Sequence, residues 1–396
     1  MTRQNISEEN GARTLQRRTC QDTSEEKRAM THSLAGVVDG IIDTHVHQWD
    51  PFTTPRQASP AAKFYRAAPH LVEKAFGKLA PVKQRQLILT PRYVAQPFLP
   101  EQYAADAEGV AKVVGAPVVA LVHVEAGWQG KEPLAPVEET KWLISLPWGS
   151  DGLPDLVAIT AHANPTDPHC GTLIDAHLQA SPKVTCIRQL AAWHPDPKVL
   201  NWFDEPGLLK SRDFLAGFSA IAERGLPFEA TVYSGQLPDV EILAHEYPET
   251  TIIVSHYATP VGVFGPTGTD TGDTAAKRAD IYRTWKDNIA AVAERPNVVA
   301  KHSGCAFPQL GFGHSPDGNI GGLEKLQELL QPMVDHVTDS FGPDRVMFGS
   351  NFPMDKPNAS LPDIIGMLVN VLGPRGEDVL RKVFRDNAMR VYRIDA

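Results

Sequence analysis

The 396-residue sequence has few cysteines, no long apolar run and no extended basic run. Its four cysteines, Cys20, Cys170, Cys186 and Cys305, form no C-x-x-C pair, so we expect free thiols in a reducing cytoplasm, with Cys186 and Cys305 in the core. No apolar stretch reaches the roughly 18 residues of a membrane-spanning helix. The net charge of −9 argues against nucleic acid or an anionic membrane as a partner and leaves a small-molecule substrate as the expectation.

Polarity and proline content divide the chain. Residues 1–38 are polar and lack periodic apolar positions, which predicts a loosely attached tail in front of one domain at 39–396. Residues 52–116 contain many prolines and follow the first predicted strand. We expect this insertion to act as a lid or pocket wall.

Eight apolar, β-branched segments alternate with helical or irregular stretches, and each segment ends on a polar residue. Near-continuous apolar strands separated by helices are typical of a parallel sheet buried on both faces. Eight in succession predict an α/β fold of the (β/α)₈ TIM-barrel type, with the active site where the strands end. A doubly wound open sheet is the rival, but it would require a glycine-rich first turn, which is absent. The first segment lies within 40–51, and the others lie at 118–124, 156–161, 184–187, 228–232, 251–255, 298–300 and 345–350.

The first segment ends in His45-Val46-His47. Side chains alternate faces in a strand, so the two histidines project the same way. Two imidazoles on one face can share a divalent metal ion. The alternative interpretation is an edge strand with two solvent-facing histidines.

Seven motifs, in this order and spacing, resemble the amidohydrolase-related barrels of the amidohydrolase superfamily over residues 40–396. This branch includes sugar lactonases, pyrone-dicarboxylate lactonase and sulfomuconolactonase and, more distantly, non-oxidative decarboxylases. The motifs are D-T-H-V-H-Q-W-D-P, V-H-V-E-A-G-W, C-I-R-Q-L-A-A-W-H-P-D, S-H-Y-A-T-P, N-V-V-A-K-H-S-G, F-G-S-N-F-P-M-D-K and D-N-A-M-R-V-Y.

The resemblance implies a carbonyl-directed reaction at the barrel mouth. It implies that His45 and His47 hold one divalent metal, helped by His256 or Glu125, with zinc as the first expectation and manganese as the second. A metal-free variant, in which the histidines polarise the carbonyl themselves, stays open. Arg188 matches the family's substrate-binding arginine, although a buried ion pair with Glu125 is the alternative. Further candidates for substrate contact are Tyr233, Trp49, His194 and His302, and Lys301 is expected to form a structural ion pair.

Asn351 departs from the family pattern, in which an aspartate at this position acts as metal ligand and general base. A neutral amide cannot take a proton from water, so Asp355 is considered as a substitute base. We therefore expect a hydrolase acting on a lactone, ester or amide carbonyl of a small carboxylated compound, with Asn351 orienting water or substrate. The rivals are a non-oxidative decarboxylase on the same scaffold and a binding barrel that has lost turnover. A homodimer is the default oligomeric state.

Overall fold

The computed structural model describes residues 32–312, 320 and 322–395 of the chain. Eight strands form one sheet in sequence order, and every neighbouring pair is parallel. The sheet closes next to β8, where Val46 bridges Phe352 in parallel and Asn351 N–H donates to the His45 carbonyl at 2.8 Å. The predicted (β/α)₈ barrel is therefore confirmed. The strands are β1 Ile41–Val46, β2 Val118–Val124, β3 Asp155–His162, β4 Val184–Leu190, β5 Phe228–Thr231, β6 Ile252–Val254, β7 Val298–His302 and β8 Val346–Phe348.

At least one α-helix lies between every two consecutive strands, and further helices follow the last strand. Five belong to the insertion after β1: α1 Ser59–Ala67, α2 Pro69–Leu79, α3 Val82–Ile88, α4 Pro100–Ala107 and α5 Val110–Val114. The others are α6 Val137–Ile144, α7 Cys170–Ala180, α8 Arg212–Ala222, α9 Leu237–Glu246, α10 Ala275–Ala293, α11 Leu323–Phe341, α12 Leu361–Leu372, α13 Glu377–Arg381 and α14 Asn387–Tyr392, with a π-helical turn at Lys382–Asp386 between the last two. None of the helices in these described ranges is long and apolar enough to cross a membrane.

A glycine and a proline have opposite effects on two of these helical stretches. The stretch 101–114 is two helices, because Gly109 takes a φ of 90° in the left-handed region that glycine adopts at low cost. Pro332 lies inside α11, which continues through it from Leu323 to Phe341.

One layer of small and medium apolar side chains fills the lower barrel, and Tyr392 of α14 packs against it. Every residue of β5, β6, β7 and β8 is buried, as expected for a parallel sheet covered by helices. Because this layer is apolar, the polar side chains of the barrel interior lie on the side of it where the strands end. The layer consists of Val122, Ala158, Cys186, Ile253, Val299 and Met347.

The polar tail was predicted to extend to residue 38, but its end packs on the barrel. Leu34 is fully buried, and its N–H donates to the Val114 carbonyl at 2.7 Å. Residues 1–31, including Cys20, lie outside the described residues. Cys170, Cys186 and Cys305 are buried free thiols, which confirms the sequence expectation for these three.

Candidate active site

The two histidines at the end of β1 point to the same side and meet at their Nε2 atoms, 3.2 Å apart. The His47 Nδ1–H donates to the Val124 carbonyl at 2.9 Å, and the His45 Nδ1 lies 2.9 Å from a Glu229 carboxylate oxygen. Both rings are buried, and burial lowers the pKa of His45 well below its usual value and that of His47 to about 4. Because both Nδ1 atoms face acceptors, each neutral ring presents an Nε2 lone pair to the other.

Two lone pairs at this distance repel unless a cation or a proton lies between them. Two imidazole nitrogens bound to tetrahedral zinc at about 2.0–2.1 Å would be roughly 3.3 Å apart, close to the spacing of His45 and His47. The acceptors on their Nδ1 atoms are the partners that orient metal-binding histidines in proteins. The pair therefore fits a divalent cation, although residues 32–312 and 322–395 contain no group of three or more His, Cys, Asp or Glu arranged to hold one.

A fully buried ion pair lies behind His45. Lys301 Nζ is 2.7 Å from the Glu229 carboxylate and donates to the Thr44 carbonyl, also at 2.7 Å. Burial is the largest influence and would raise the pKa of Glu229, but Lys301, Arg188 and the hydrogen bonds from Lys301 and Ser255 together lower it below its usual value. An ionised Glu229 therefore accepts from His45 and sets that ring's orientation. The structural ion pair predicted for Lys301 is confirmed, whereas Glu229 was missed, although a carboxylate inside an apolar strand was a usable signal.

His256 follows β6 in strained backbone. Four consecutive non-glycine residues, 256–259, have positive φ, and each such residue costs about 1–3 kcal/mol that surrounding structure must hold. The His256 ring packs against His45 with centroids 4.4 Å apart, and its Nδ1 lies 3.0 Å from Ser303 Oγ. A Cβ at Gly304 would approach His256 Cβ to 2.7 Å, so only glycine leaves room for this ring. The barrel thus brings His256 to the β1 histidines, as the resemblance implied.

Arg188 and Glu125 form the second buried pair of the mouth. The guanidinium lies 3.7 Å from Glu125 Oε1 and donates through Nε to Thr231 Oγ1 at 2.9 Å. Burial is the largest influence and would raise the pKa of Glu125, but Arg188, the nearby histidines and the Gly127 N–H together lower it and keep the carboxylate ionised. Glu125 Oε2 accepts from Gly127 N–H, while the buried Oε1 has no hydrogen-bond partner. This matches the ion-pair alternative for Arg188 and leaves one carboxylate oxygen available.

Asn351 and Asp355 bind each other. Asn351 has a φ of 59°, a left-handed conformation that asparagine tolerates better than most residues, and its amide donates to Asp355 Oδ1 at 2.8 Å. Asp355 Oδ2 accepts from Ala306 N–H at 2.7 Å, and burial raises the pKa of Asp355 to about 8. Both oxygens of Asp355 are therefore occupied in joining two loops. The structure gives Asp355 a structural role and does not support its use as a substitute base.

The four remaining candidates have other partners. Tyr233 donates to the Leu200 carbonyl at 2.5 Å and accepts from Gln309, so its hydroxyl is already engaged. His194 lies beside the Tyr233 ring and accepts from Asp196 N–H. Trp49 donates to the Gln96 carbonyl in the insertion, with Arg56 over its ring at 4.8 Å. None of these three side chains is part of the cluster formed by His45, His47 and His256.

His302 does not join the cluster either. It neighbours the inward-pointing Lys301 on β7 and therefore points outward, where Nε2 lies 3.1 Å from Thr338 Oγ1 of α11. The ring is fully buried, and its Nδ1 has no partner. The structure does not support the substrate-binding role predicted for His302.

Burial lowers the pKa of His302 to about 3, which predicts a pH-dependent stability. Between pH 6.5 and 3 the unfolded chain binds a proton here that the folded chain does not, so stability falls on acidification. The contribution is about 1.4 kcal/mol per pH unit. In His302→Gln, urea unfolding measured from pH 6.5 to 5 should show a slope shallower by about that amount. An unchanged slope would contradict a buried neutral imidazole.

Glu139 of α6 is a buried carboxyl group that no sequence signal marked. Its Oε1 lies 4.0 Å from Arg56 and 3.9 Å from His123 Nε2, and it accepts from Ala126 N–H. Burial and the nearby Glu125 raise the pKa of Glu139 to about 8. A neutral Glu139 beside Glu125 supports the loop that carries Glu125.

Gly349 supplies the space that His45 occupies. A Cβ at this position would lie 2.8 Å from His45 Cβ and 3.2 Å from Thr44 Oγ1. We expect Gly349→Ala to cost about 1–3 kcal/mol of unfolding free energy and to weaken zinc binding, because His45 must move. Gly77→Ala is the control, since nothing lies within 4 Å of its added Cβ. Equal behaviour of the two variants in urea unfolding and zinc titration would contradict the crowding at His45.

The (β/α)₈ barrel thus brings the paired histidines of β1, a third histidine after β6 and a buried Arg–Glu pair together at its mouth. Residues 190–394, just over half of the chain, match the family described as Amidohydrolase. The chain belongs to this amidohydrolase family and is an enzyme of the hydrolase type.

Two proteins of similar sequence and one of similar structure can be compared with this chain. The uncharacterized protein y4mH of Sinorhizobium fredii is 28% identical over 355 residues, covering 89% of this chain and 98% of the relative. An L-fucono-1,5-lactonase of Burkholderia ambifaria is 28% identical over 227 residues, covering 56% of this chain and 65% of the lactonase. A Burkholderia multivorans amidohydrolase solved with bound zinc shares the fold at a TM-score of 0.62 and 17% identity, over 90% of this chain and all of that one.

Proposed function

We propose that this protein hydrolyses a lactone at the mouth of the barrel. The observation that carries the proposal is the convergence of the His45 and His47 Nε2 atoms at 3.2 Å, with both rings fixed from behind. The similarity to an L-fucono-1,5-lactonase supports a lactone as the substrate class.

His45 and His47 would hold one divalent cation, with zinc as the first choice because imidazole nitrogen suits it. Such a cation supplies Lewis acidity, which polarises a carbonyl and makes a nearby water easier to deprotonate. His256 packs against His45 and limits the movement of that ring. Glu229 holds the opposite side of the same ring through Nδ1.

Glu125 is the proton acceptor in this proposal. Its carboxylate is ionised, and its Oε1 is buried without a hydrogen-bond donor. Asn351 lacks this capacity, since its amide donates to Asp355 and a carboxamide is not a base. Arg188 balances the charge of Glu125 and orients it, so the guanidinium offers a substrate a hydrogen-bonding surface rather than an unpaired positive charge.

The test is a panel of lactones assayed by acid release, with zinc-loaded, manganese-loaded and chelator-treated protein. The panel contains neutral polyhydroxylated lactones and lactones that carry a carboxylate. Because Glu125 neutralises Arg188, we expect turnover of the neutral sugar-type members, strongly reduced in Glu125→Gln. Carbon dioxide release from aromatic or dienoic acids without lactone hydrolysis would instead identify a decarboxylase. No turnover and no metal binding would identify a binding barrel.

A further inference from the structure

Helices α1 and α2 form a helical hairpin, residues 59–79, whose outer face is apolar and uncovered. Phe64 is 72% exposed, Leu71 71% and Leu79 82%, the three largest exposures among the large hydrophobic side chains of the described residues. None of the eleven residues of α2 is buried. An open groove of about 610 Å³ runs between the two helices. Its lining is Phe64, Ala67, Ala68, Leu71, Val72, Ala75, Phe76, Leu79 and Ala80.

The hairpin also has contacts away from this face. Ala62 and Tyr65 form a small separate core with Ala95, and Tyr65 OH donates to Glu73 at 2.7 Å across the two helices. The apolar face is therefore presented outward by a segment that is held together from the other side. An apolar patch of this kind marks an interaction surface.

The rim of the groove is strongly basic. Residues 56–92 contain eight Lys or Arg and one acidic residue, Glu73; Arg56 is largely buried beside Glu139 and Arg85 is partly buried, which leaves six exposed cations in a chain whose net charge is −9. Lys74 and Lys78 stand three residues after Leu71 and Ala75, so they flank the apolar stripe of α2. Neither lysine pairs with a carboxylate within the described part of the chain, and both are exposed. The exposed cations of the segment are Lys63, Arg66, Lys74, Lys78, Lys83 and Arg92.

We propose that the helical hairpin docks the protein on the surface of an anionic phospholipid bilayer. Helices with Phe and Leu on one face and Lys or Arg along its edges lie in the membrane interface, with their apolar face among the acyl chains. The lysine stems extend along that face while their ammonium groups reach the lipid headgroups. Each cation at such a surface adds attraction to anionic lipid.

The negative charge of the rest of the chain does not oppose this docking. At physiological salt the screening length is about 8 Å, whereas a compact chain of this size has a radius of gyration of about 21 Å. A bilayer touching the hairpin therefore responds to the basic segment and little to distant carboxylates. The net charge of −9, from which a membrane partner was argued against, is a sum over the whole chain and hides the basic segment of the hairpin.

Charge also argues against a second copy as the occupant. A twofold dimer through this face would bring two hairpins of net charge +3 together, because a twofold interface pairs the same patch with itself. Residues 1–31 offer no periodic apolar face to fill the groove. An anionic bilayer satisfies both the apolar stripe and its basic rim.

The test is co-sedimentation of the full-length protein with vesicles. Vesicles of phosphatidylcholine mixed equally with phosphatidylglycerol should bind it, phosphatidylcholine vesicles should bind it at least tenfold more weakly, and about 0.5 M salt should reduce binding. Lys74→Glu/Lys78→Glu and Leu71→Ser/Leu79→Ser should each lower the partition coefficient by about tenfold or more while leaving circular dichroism unchanged.

Lys112→Glu/Lys131→Glu is the matched control, because both lysines are exposed outside the hairpin and the charge change is the same. It should bind like the unmodified protein. Equal binding of control and hairpin variants, or no binding to the anionic vesicles at low salt, overturns the proposal. A concentration-dependent dimer that only the hairpin variants abolish also overturns it and makes this face an interface between copies.

Discussion

His47→Ala is expected to abolish stoichiometric zinc binding and to lower kcat/KM by about 10²–10³-fold in the lactone assay. The reason is geometric: the cation position is defined by two Nε2 atoms 3.2 Å apart, and one imidazole cannot define it alone. A loss of this size is typical when an electrophilic group at a reacting carbonyl is removed. Zinc titration by calorimetry and lactone turnover measure the two parts of the prediction.

His302→Gln serves as the histidine control, because His302 is equally buried but contacts Thr338 of α11. It should bind zinc and turn over substrate like the unmodified protein. If His47→Ala retained full zinc affinity, or if the control lost it, the cation would lie elsewhere in the chain.

Lys301→Met is expected to lower the free energy of unfolding by about 3–5 kcal/mol. The substitution leaves the Glu229 carboxylate buried without its counter-ion, and an uncompensated buried charge is what makes such a change costly. The double variant Glu229→Gln/Lys301→Met should recover most of this loss, because neither side chain then carries a charge. Urea unfolding at neutral pH measures all three proteins.

An exposed ion pair provides the reference for this loss of unfolding free energy. Lys325 and Glu328 form a pair one helical turn apart on the surface of α11, and Lys325→Met should cost less than about 1 kcal/mol. A similar small cost for Lys301→Met would show that Glu229 is neutral in the fold. The double variant should also bind zinc 10–100-fold more weakly, since His45 loses the carboxylate on its Nδ1.

Much of the site could be predicted because it depends on local repetition. The period of two along β1 places His45 and His47 on one face, whatever the rest of the chain does. The same period on β7 requires Lys301 and His302 to point to opposite sides, but both are polar, so the pattern does not say which faces the barrel. The structure resolves that ambiguity by placing Lys301 inside the barrel and His302 against Thr338 of α11.

Contacts between strands that are far apart in the sequence could not be predicted from the sequence. Glu229 and Lys301 are 72 positions apart, and Arg188 and Glu125 are 63 apart, so only barrel closure brings each pair together. Asn351 matched a known motif position, yet its bond to Asp355 depends on a positive φ that the motif does not encode. The basic residues of the hairpin are visible in the sequence. Only the structure shows that they lie beside an exposed apolar surface, because Leu71 of α2 is exposed.

The amino-acid order by itself determined the (β/α)₈ barrel, the position of its mouth and the shared face of the β1 histidines, because hydrophobic period and motif spacing are local properties. The tertiary structure alone decided which carboxylate orients His45, which charge Arg188 meets and which apolar side chains remain in water. Those outcomes depend on the registration of separate strands and helices, and a single strand carries no information about its neighbour's register.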